Sequence, residues 1–382
     1  PHKIMSRPTR HLCIATGQNL ANLIPSLQLG ATEVLILETP AMREAATNLK
    51  RALEARGVGC KRIAFDDATP ETIRASAEAI AMELGTEPLL FNVTGGHKLM
   101  TLALAENLEA LADDLHLVYA ETRHDRLDWL KPSPGIEPMT NALGIDDILR
   151  AQGYRRTADS NQDAFWQADA DARASLTRKM GDDAERYERF FGTLNRLADY
   201  ALADENRFDP RQEFEYAPGG RNAELLREAS RLGLVQWDDD TLITFTSREA
   251  AAYFRGGWLE EYVWYKLRGL RPHDWAVNLK TQSYATQIEN EFDAVVAHRN
   301  RLLVIECKTA GFGRNEARDV GYIYKLAQLS DQIGGSMSQK LLLSARPINA
   351  DVRQRARDYR VDILAAAEIR QVVDYLRRWL QG

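Results

Sequence analysis

The chain is poor in cysteine. Only Cys13, Cys60 and Cys307 occur in 382 residues, scattered and odd in number. They give no disulfide framework and no zinc-binding cluster, and they suit a reducing cytoplasm. Long apolar runs are missing too. No stretch approaches the ~18 residues that a membrane-spanning helix needs. No charged-then-apolar leader opens the chain, and Pro1–Ile4, which precede Met5, are set aside from the fold reading. Neither G-x-G-x-x-G nor a Walker A loop occurs, and no acid stands where an NAD ribose would need one. Internal repeats and low-complexity tracts are absent. These absences leave a cytoplasmic protein, clear of the membrane and long enough for two or three domains.

The net charge of −6 looks wrong for a nucleic-acid binder. Its distribution says more. From residue 250 onward there are 20 Lys and Arg against 15 Asp and Glu, an excess of +5, which leaves −11 for the remainder. The basic share sits in the C-terminal third.

Residues 11–130 alternate strand-like and helix-like segments. His11–Thr16, Glu33–Glu38, Lys61–Phe65, Leu89–Thr94 and His116–Glu121 read as strands, with helical patterns such as Ala41–Arg56 and Glu71–Leu84 between them. That rhythm predicts an α/β fold with a parallel sheet and helices on both faces. Lys131-Pro132-Ser133-Pro134-Gly135 breaks the pattern. From about 145 to 250 the chain reads helical and acidic. Ala223–Leu232, Leu234–Trp237, Asp238–Asp240 and Leu242–Thr246 fit either a small winged-helix-like element or a plain connector. Beyond 250 a helix, a three-stranded meander, a second helix and a further strand predict an α/β core of restriction-endonuclease type. The expected domains are 5–145, 146–250 and 251–382.

The densest chemistry lies in Val304-Ile305-Glu306-Cys307-Lys308-Thr309. Strand side chains alternate faces, so Glu306 and Lys308 point one way and Ile305 and Cys307 the other. The preceding run Glu289–Val296 carries Asp293, and the turn-like His298–Arg301 lets the two runs pair as a hairpin. Asp293 and Glu306 then meet around one divalent cation, with Lys308 placed to orient the attacking water or neutralise developing phosphorane charge. Mg²⁺ or Mn²⁺ suits such carboxylates. A third carboxylate comes from Gly256-Gly257-Trp258-Leu259-Glu260-Glu261, where the helix phase favours Glu260 over Glu261. Cys307 faces away and reads as a buried structural thiol. His298 reads as a surface residue, and Tyr324 and Lys325 as packing or accessory residues on the following helix.

Two strand-to-helix junctions near the N-terminus are also marked. One is Thr16-Gly17-Gln18-Asn19 with Asn22; the other is Asn92-Val93-Thr94-Gly95-Gly96-His97-Lys98. In open parallel sheets ligands bind beyond the strand C-termini. Glycines admit a ligand close to the backbone, and a helix N-terminus suits phosphate. Lys98 is placed to pair with a phosphate or to sit solvated.

The D-x12-E-x-K pattern resembles the PD-(D/E)xK nuclease superfamily. Asn92-x-Thr94-Gly95-Gly96-x-Lys98-x-Met100 resembles the ligand motif of CARF domains, the sensors of type III CRISPR systems. Thr16-Gly17-Gln18-Asn19-Leu20, with Asn22 and Pro25, is similar to their first ligand loop. One departure is His97, where a small hydroxyl residue is common. Together the motifs resemble CRISPR ancillary nucleases that join one CARF domain to one PD-(D/E)xK domain. The resemblance implies a Rossmann-like sensor and a restriction-endonuclease-like domain. It implies ligand contacts from Thr16, Gly17, Gln18, Asn19, Asn22, Asn92, Thr94, Gly95, Gly96, His97 and Lys98. It also implies Mn²⁺ or Mg²⁺ at Asp293, Glu306 and Glu260, cyclic tetra-adenylate as activator, a homodimer, and DNA or RNA as substrate. The alternative is a CARF-linked transcription regulator that binds DNA through 223–246; it has no need of Asp293, Glu306 and Lys308. A third reading, in which the sensor degrades its own ligand, is demanded by no residue.

Overall fold

The computed structural model describes residues 7–311 and 316–382, without the side chains of 316–318. Residues 5 and 6, the expected start of the first domain, lie outside the described residues. The strands are β1 (Arg10–Ile14), β2 (Glu33–Glu38), β3 (Gly59–Ala64), β4 (Leu89–Asn92), β5 (Leu115–Glu121), β6 (Arg126–Lys131), β7 (Gly135–Pro138), β8 (Tyr154–Ala158), β9 (Arg211–Glu213), β10 (Val235–Gln236), β11 (Leu242–Phe245), β12 (Asp274–Ser283), β13 (Glu289–His298), β14 (Arg301–Lys308), β15 (Ser338–Ser344) and β16 (Val361–Ala365). The helices are α1 (Leu20–Gln28), α2 (Arg43–Glu54), α3 (Pro70–Leu84), α4 (Lys98–Leu111), α5 (Ile145–Ala151), α6 (Ala164–Ala172), α7 (Ala174–Asp182), α8 (Ala184–Ala201), α9 (Gly220–Arg231), α10 (Arg248–Ala252), α11 (Trp258–Leu270), α12 (Glu316–Gly334), α13 (Ala350–Asp358) and α14 (Val372–Gln381).

Among the described residues the first sheet runs β3-β2-β1-β4-β5-β6-β7. Its first five strands are parallel, as the βα rhythm requires, and β5–β6 and β6–β7 are antiparallel. β2, paired on both sides, is buried along Val34–Leu37 because helices cover both faces. Helix α3 begins with a capping box, in which Thr69 and Thr72 exchange side-chain and backbone bonds, and with Pro70 in its first turn. The sequence pattern break at 131–135 is the turn joining β6 to β7.

The second sheet runs β16-β15-β14-β13-β12-β8. β14, β15 and β16 are parallel, and β12, β13 and β14 form the expected antiparallel meander. The segment expected as a connector is divided between structures. Its β8 adds the edge strand beside β12, and α7 and α8 pack in one core with α11. Helix α9 with β9, β10 and β11 forms the helix-and-wing element, and the tip of that wing is Asp238-Asp239-Asp240.

One apolar core joins the two sheets. Cys13, Val34 and Ile36 of the first sheet share a continuous cluster with Val295, Leu302 and Val304 of the second, through α1, α2, α5 and α12. Arg301 closes the seam with Asp125, and Asn300 Oδ1 accepts from the backbone N–H groups of Ala142 and Leu143 at 2.9 and 3.1 Å. No helix among the described residues is long and apolar enough to cross a membrane.

Candidate active site and sensor loops

β13 and β14 pair through Ala294↔Ile305, so one further step sets Asp293 opposite Glu306. The Cys307 backbone N–H donates to Asp293 Oδ2 at 2.6 Å and fixes that carboxylate at the strand end. Alternation then puts Lys308 on the face of Glu306, and their side chains meet at 2.5 Å. The Lys308 ammonium also lies 5.3 Å from the Tyr322 ring centre. Burial works against this ammonium, yet Glu306 and Asp293 outweigh it and hold its pKa above the ordinary lysine value.

The two adjacent glutamates of α11 part company. Glu261 is 2 % exposed and closed off by the Arg173 guanidinium, with Thr177 Oγ1 donating at 3.2 Å. Glu260 instead stands within the field of Asp293. Burial raises its pKa first, and the charges of Asp293 and Glu291 add to that. Burial and then Glu306 raise Asp293 likewise. Like charges held together out of water disfavour ionisation, and a cation relieves exactly that kind of repulsion. Among the described residues, no three His, Cys, Asp or Glu side chains come close enough to hold an ion unaided.

Two cavities flank the strand end. One, of about 690 Å³, is lined by Glu260, Glu291, Lys308 and Tyr322. The other, of about 460 Å³, is lined by Asp293, Glu306, Lys308 and Lys325. Lys308 borders both. Tyr324 lies elsewhere, edge-on to Tyr359 at 4.7 Å. Cys307 is buried, and desolvation drives its thiol pKa well up, which suits a packing role. His298 is half-buried beside Trp379 rather than at the surface.

Sequence reasoning missed three supports. Glu291, two residues before Asp293, shares its strand face, and alternation alone would have found it. Tyr322 precedes Lys325 by one helical turn. Asn195 carries no local signal. Its Nδ2 donates to Thr309 Oγ1 at 2.8 Å, and that hydroxyl donates to the Arg255 carbonyl, also at 2.8 Å. This chain ties α8 to the end of β14 and to the single π-helical turn (Tyr253–Gly257) that leads into α11.

The sensor-loop residues divide by exposure. Gly17, Gln18, Gly96, His97 and Lys98 are exposed at the C-terminal edge of the first sheet, and Thr16 and Thr94 are half-buried. Asn19, Asn22 and Asn92 are buried and bind the protein itself. Asn19 Nδ2 donates to the carbonyls of Ala45 and Ala151, and Asn22 Nδ2 to that of Ile14. Asn92 donates to Asn22 Oδ1 at 3.0 Å and accepts from the Thr94 hydroxyl at 2.6 Å. The Thr94 hydroxyl oxygen in turn accepts from the Ala120 N–H at 2.7 Å. Gly95 is required by close approach, since a Cβ there would lie 2.1 Å from the Ile14 carbonyl oxygen. The loops are therefore built on a buried polar network and present backbone, His97 and Lys98 outward, while the Gln18 side chain is taken up by Ser336.

Residues 247–382 match the family described as Card1-like, endonuclease domain. No curated protein matches the sequence. Among solved structures, Can2 from Sulfobacillus thermosulfidooxidans in complex with cyclic tetra-adenylate is 19% identical, with a TM-score of 0.79 over 98% of each chain. Protein VC1899 from Vibrio cholerae is 21% identical, with a TM-score of 0.82 over 97% of this chain and 98% of that one. A type III CRISPR defence DNA nuclease activated by cyclic oligoadenylate is 21% identical, with a TM-score of 0.53 over 90% of this chain and 46% of its own. At these identities the likeness is one of fold. The chain thus shares the whole-length fold of Can2 and VC1899, and its residues 247–382 match the model of the Card1-like endonuclease domain.

Proposed function

We propose that the protein is a metal-dependent endonuclease switched on by a cyclic oligoadenylate, most directly cyclic tetra-adenylate, in CRISPR antiviral defence. The observation that carries this reading is the meeting of Asp293, Glu306 and Lys308 at one strand end, with Glu260 within the field of Asp293, inside the region that matches the endonuclease-domain model. The donors are all carboxylate oxygens, crowded and mutually repelling, which fits a hard divalent ion such as Mg²⁺ or Mn²⁺. Asp293 and Glu306 would hold it together with water and substrate oxygens, and Glu260, within the field of Asp293, would join them only by moving closer. Such an ion, when bound, makes a water nucleophilic and stabilises the leaving oxygen. Lys308, charged at any working pH, orients that water or neutralises charge on the attacked phosphate.

The sensor end supports an anionic ligand. Lys98 opens α4, so a positive side chain and a helix N-terminus coincide at the exposed edge. Can2 binds cyclic tetra-adenylate on the same fold. A four-nucleotide ring suits a two-fold homodimer that uses each residue twice. Leu99 and Leu102 on α4 are 53% and 66% exposed beside this edge, as an apolar dimer contact would require. The reading places the work in the cytoplasm on DNA, RNA or both. Against a transcription regulator stands the acidic tip of the wing, whose charge repels phosphate.

The test is cutting of RNA, single-stranded DNA and plasmid with Mn²⁺, with and without each cyclic oligoadenylate. Glu306→Ala protein that cuts as fast as wild type would overturn the assignment.

A further inference from the structure

Beside the catalytic cavity lies another, of about 500 Å³. The two share Asn195, Asp199 and Ala310 as walls, so a chain leaving one enters the other. Three guanidinium groups line the second cavity: Arg189, Arg196 and Arg346. Arg189 and Arg196 are seven residues apart on α8 and share one exposed helix face. Tyr200, 58% exposed, continues that face one turn on. Arg346 reaches α8 from just beyond β15, and it lies against Gly192. A Cβ at 192 would come within 2.2 Å of Arg346 Nη1, so glycine is what lets the guanidinium in.

The charges here are unspent. Other arginines near this part of the fold do meet a carboxylate: Arg173 meets Glu261, Arg227 meets Asp239 and Arg268 meets Asp171. Among the described residues no carboxylate pairs with Arg189, Arg196 or Arg346. The buried Nε of Arg346 has no hydrogen-bond partner. Asp199, the acid on this wall, faces Arg255 at 3.9 Å. On the catalytic side, Asn195 is 9% exposed and its Oδ1 is also unpartnered at the junction of the two cavities. Three clustered cations and an exposed aromatic ring are the parts of a single-strand track: phosphates pair with the guanidinium groups and a base stacks on the ring.

We infer that this basic cavity holds the phosphodiester backbone of a single-stranded nucleic acid next to the bond being cut, with Tyr200 stacking a base. The inference rests on the nuclease reading above and names where the substrate strand lies.

The experiment uses the full chain with Glu306→Gln to stop cutting, saturated with cyclic tetra-adenylate. Binding of fluorescein-labelled 20-nucleotide DNA, RNA of the same sequence, and the DNA duplex is followed by anisotropy across a salt series. Each phosphate contact adds about 0.7 to the salt slope on a single strand, so Arg189→Gln/Arg196→Gln/Arg346→Gln should flatten it by about 2. Arg189→Gln/Arg196→Gln, confined to an exposed helix face, should give about two-thirds of that change, and Arg346→Lys should keep most of the slope. Tyr200→Ala should weaken binding about tenfold. In cutting-competent protein the triple variant should raise KM about tenfold or more while kcat stays within about twofold. An unchanged slope and KM in a triple variant, with wild type still cutting, overturns this inference alone. Tighter binding of duplex through the same arginines overturns the single-strand assignment. Wild type that cuts nothing under any cyclic oligoadenylate overturns the nuclease reading, and this inference with it.

Discussion

Gln18 Oε1 accepts two hydrogen bonds from Ser336, from its backbone N–H at 3.0 Å and its hydroxyl at 3.1 Å. Gln18 belongs to the exposed loop after β1. Ser336 belongs to the turn before β15, the strand that pairs with Glu306 and Lys308 along β14. The loop after β1 thus bonds the turn that leads into β15, the neighbour of the strand carrying Glu306 and Lys308. Gln18→Leu should lower the stimulation of cutting by cyclic tetra-adenylate on the order of tenfold, the scale of two lost hydrogen bonds. Affinity for the activator should change much less. Parallel binding and cutting titrations check this, and an equal loss in both would make Gln18 a ligand contact only.

Thr309 sits between Asn195 and the Arg255 carbonyl. Thr309→Val removes both hydrogen bonds and leaves the buried Asn195 amide and the Arg255 carbonyl without this partner, which should cost about 1–3 kcal/mol of stability. It should also lower kcat with little change in KM, because the turn leading into α11, the helix of Glu260, loses its tether to β14. Thr309→Ser should restore both. Chemical denaturation and steady-state kinetics read the two effects separately.

The carboxyl pKa values are raised to about 8 for Glu260 and about 7 for Asp293. Below those values both carry protons, and a divalent ion must displace them. Mn²⁺ affinity should therefore rise with pH across that window, roughly tenfold per unit for each proton displaced. Calorimetry in buffers of different ionisation enthalpy counts the protons released, and Glu260→Gln should release fewer. Linkage gives the matching sign for stability without metal. The unfolded chain ionises these groups from their ordinary values of 4.5 and 3.8 upward, while the folded one still holds the protons. Metal-free protein should therefore lose stability as pH rises toward 8, and added Mn²⁺ should restore it.

Gly95→Ala places a methyl group against the Ile14 carbonyl. The β4–α4 junction must then move away from β1, at about 1–3 kcal/mol. Gly17 makes the control, since nothing lies within 4 Å of a Cβ there. Gly17→Ala should leave stability within about 0.5 kcal/mol of wild type. Thermal melts of the two variants test the contrast.

Asp293, Glu306 and Lys308 were legible because a strand repeats every two residues, so faces follow from spacing. The preference for Glu260 over Glu261 rests on helix phase toward the core, yet Glu261 is the one buried there against Arg173, and half-buried Glu260 is the one within the field of Asp293. The βα rhythm of 11–130 was equally readable. The role of Asn195 was not, because it depends on a contact spanning 114 residues. Nor was β8, five residues whose strand state rests on the edge of β12. The loop asparagines illustrate a different limit. Asn19, Asn22 and Asn92 share a motif with exposed residues, and only the path of the backbone shows that their amides turn inward to satisfy carbonyls.

The apolar cluster running from Cys13 and Ile36 to Leu302 and Val304 bears on how such proteins can be recombined. Sensor and cutter are not beads on a string. A fragment beginning at 247 would strip β8 from its sheet edge and bare Val304, Leu302 and Val295 to water. A chimera that grafts a foreign sensor onto this nuclease must therefore carry α1, α2 and α5 along with it, or redesign the face they cover.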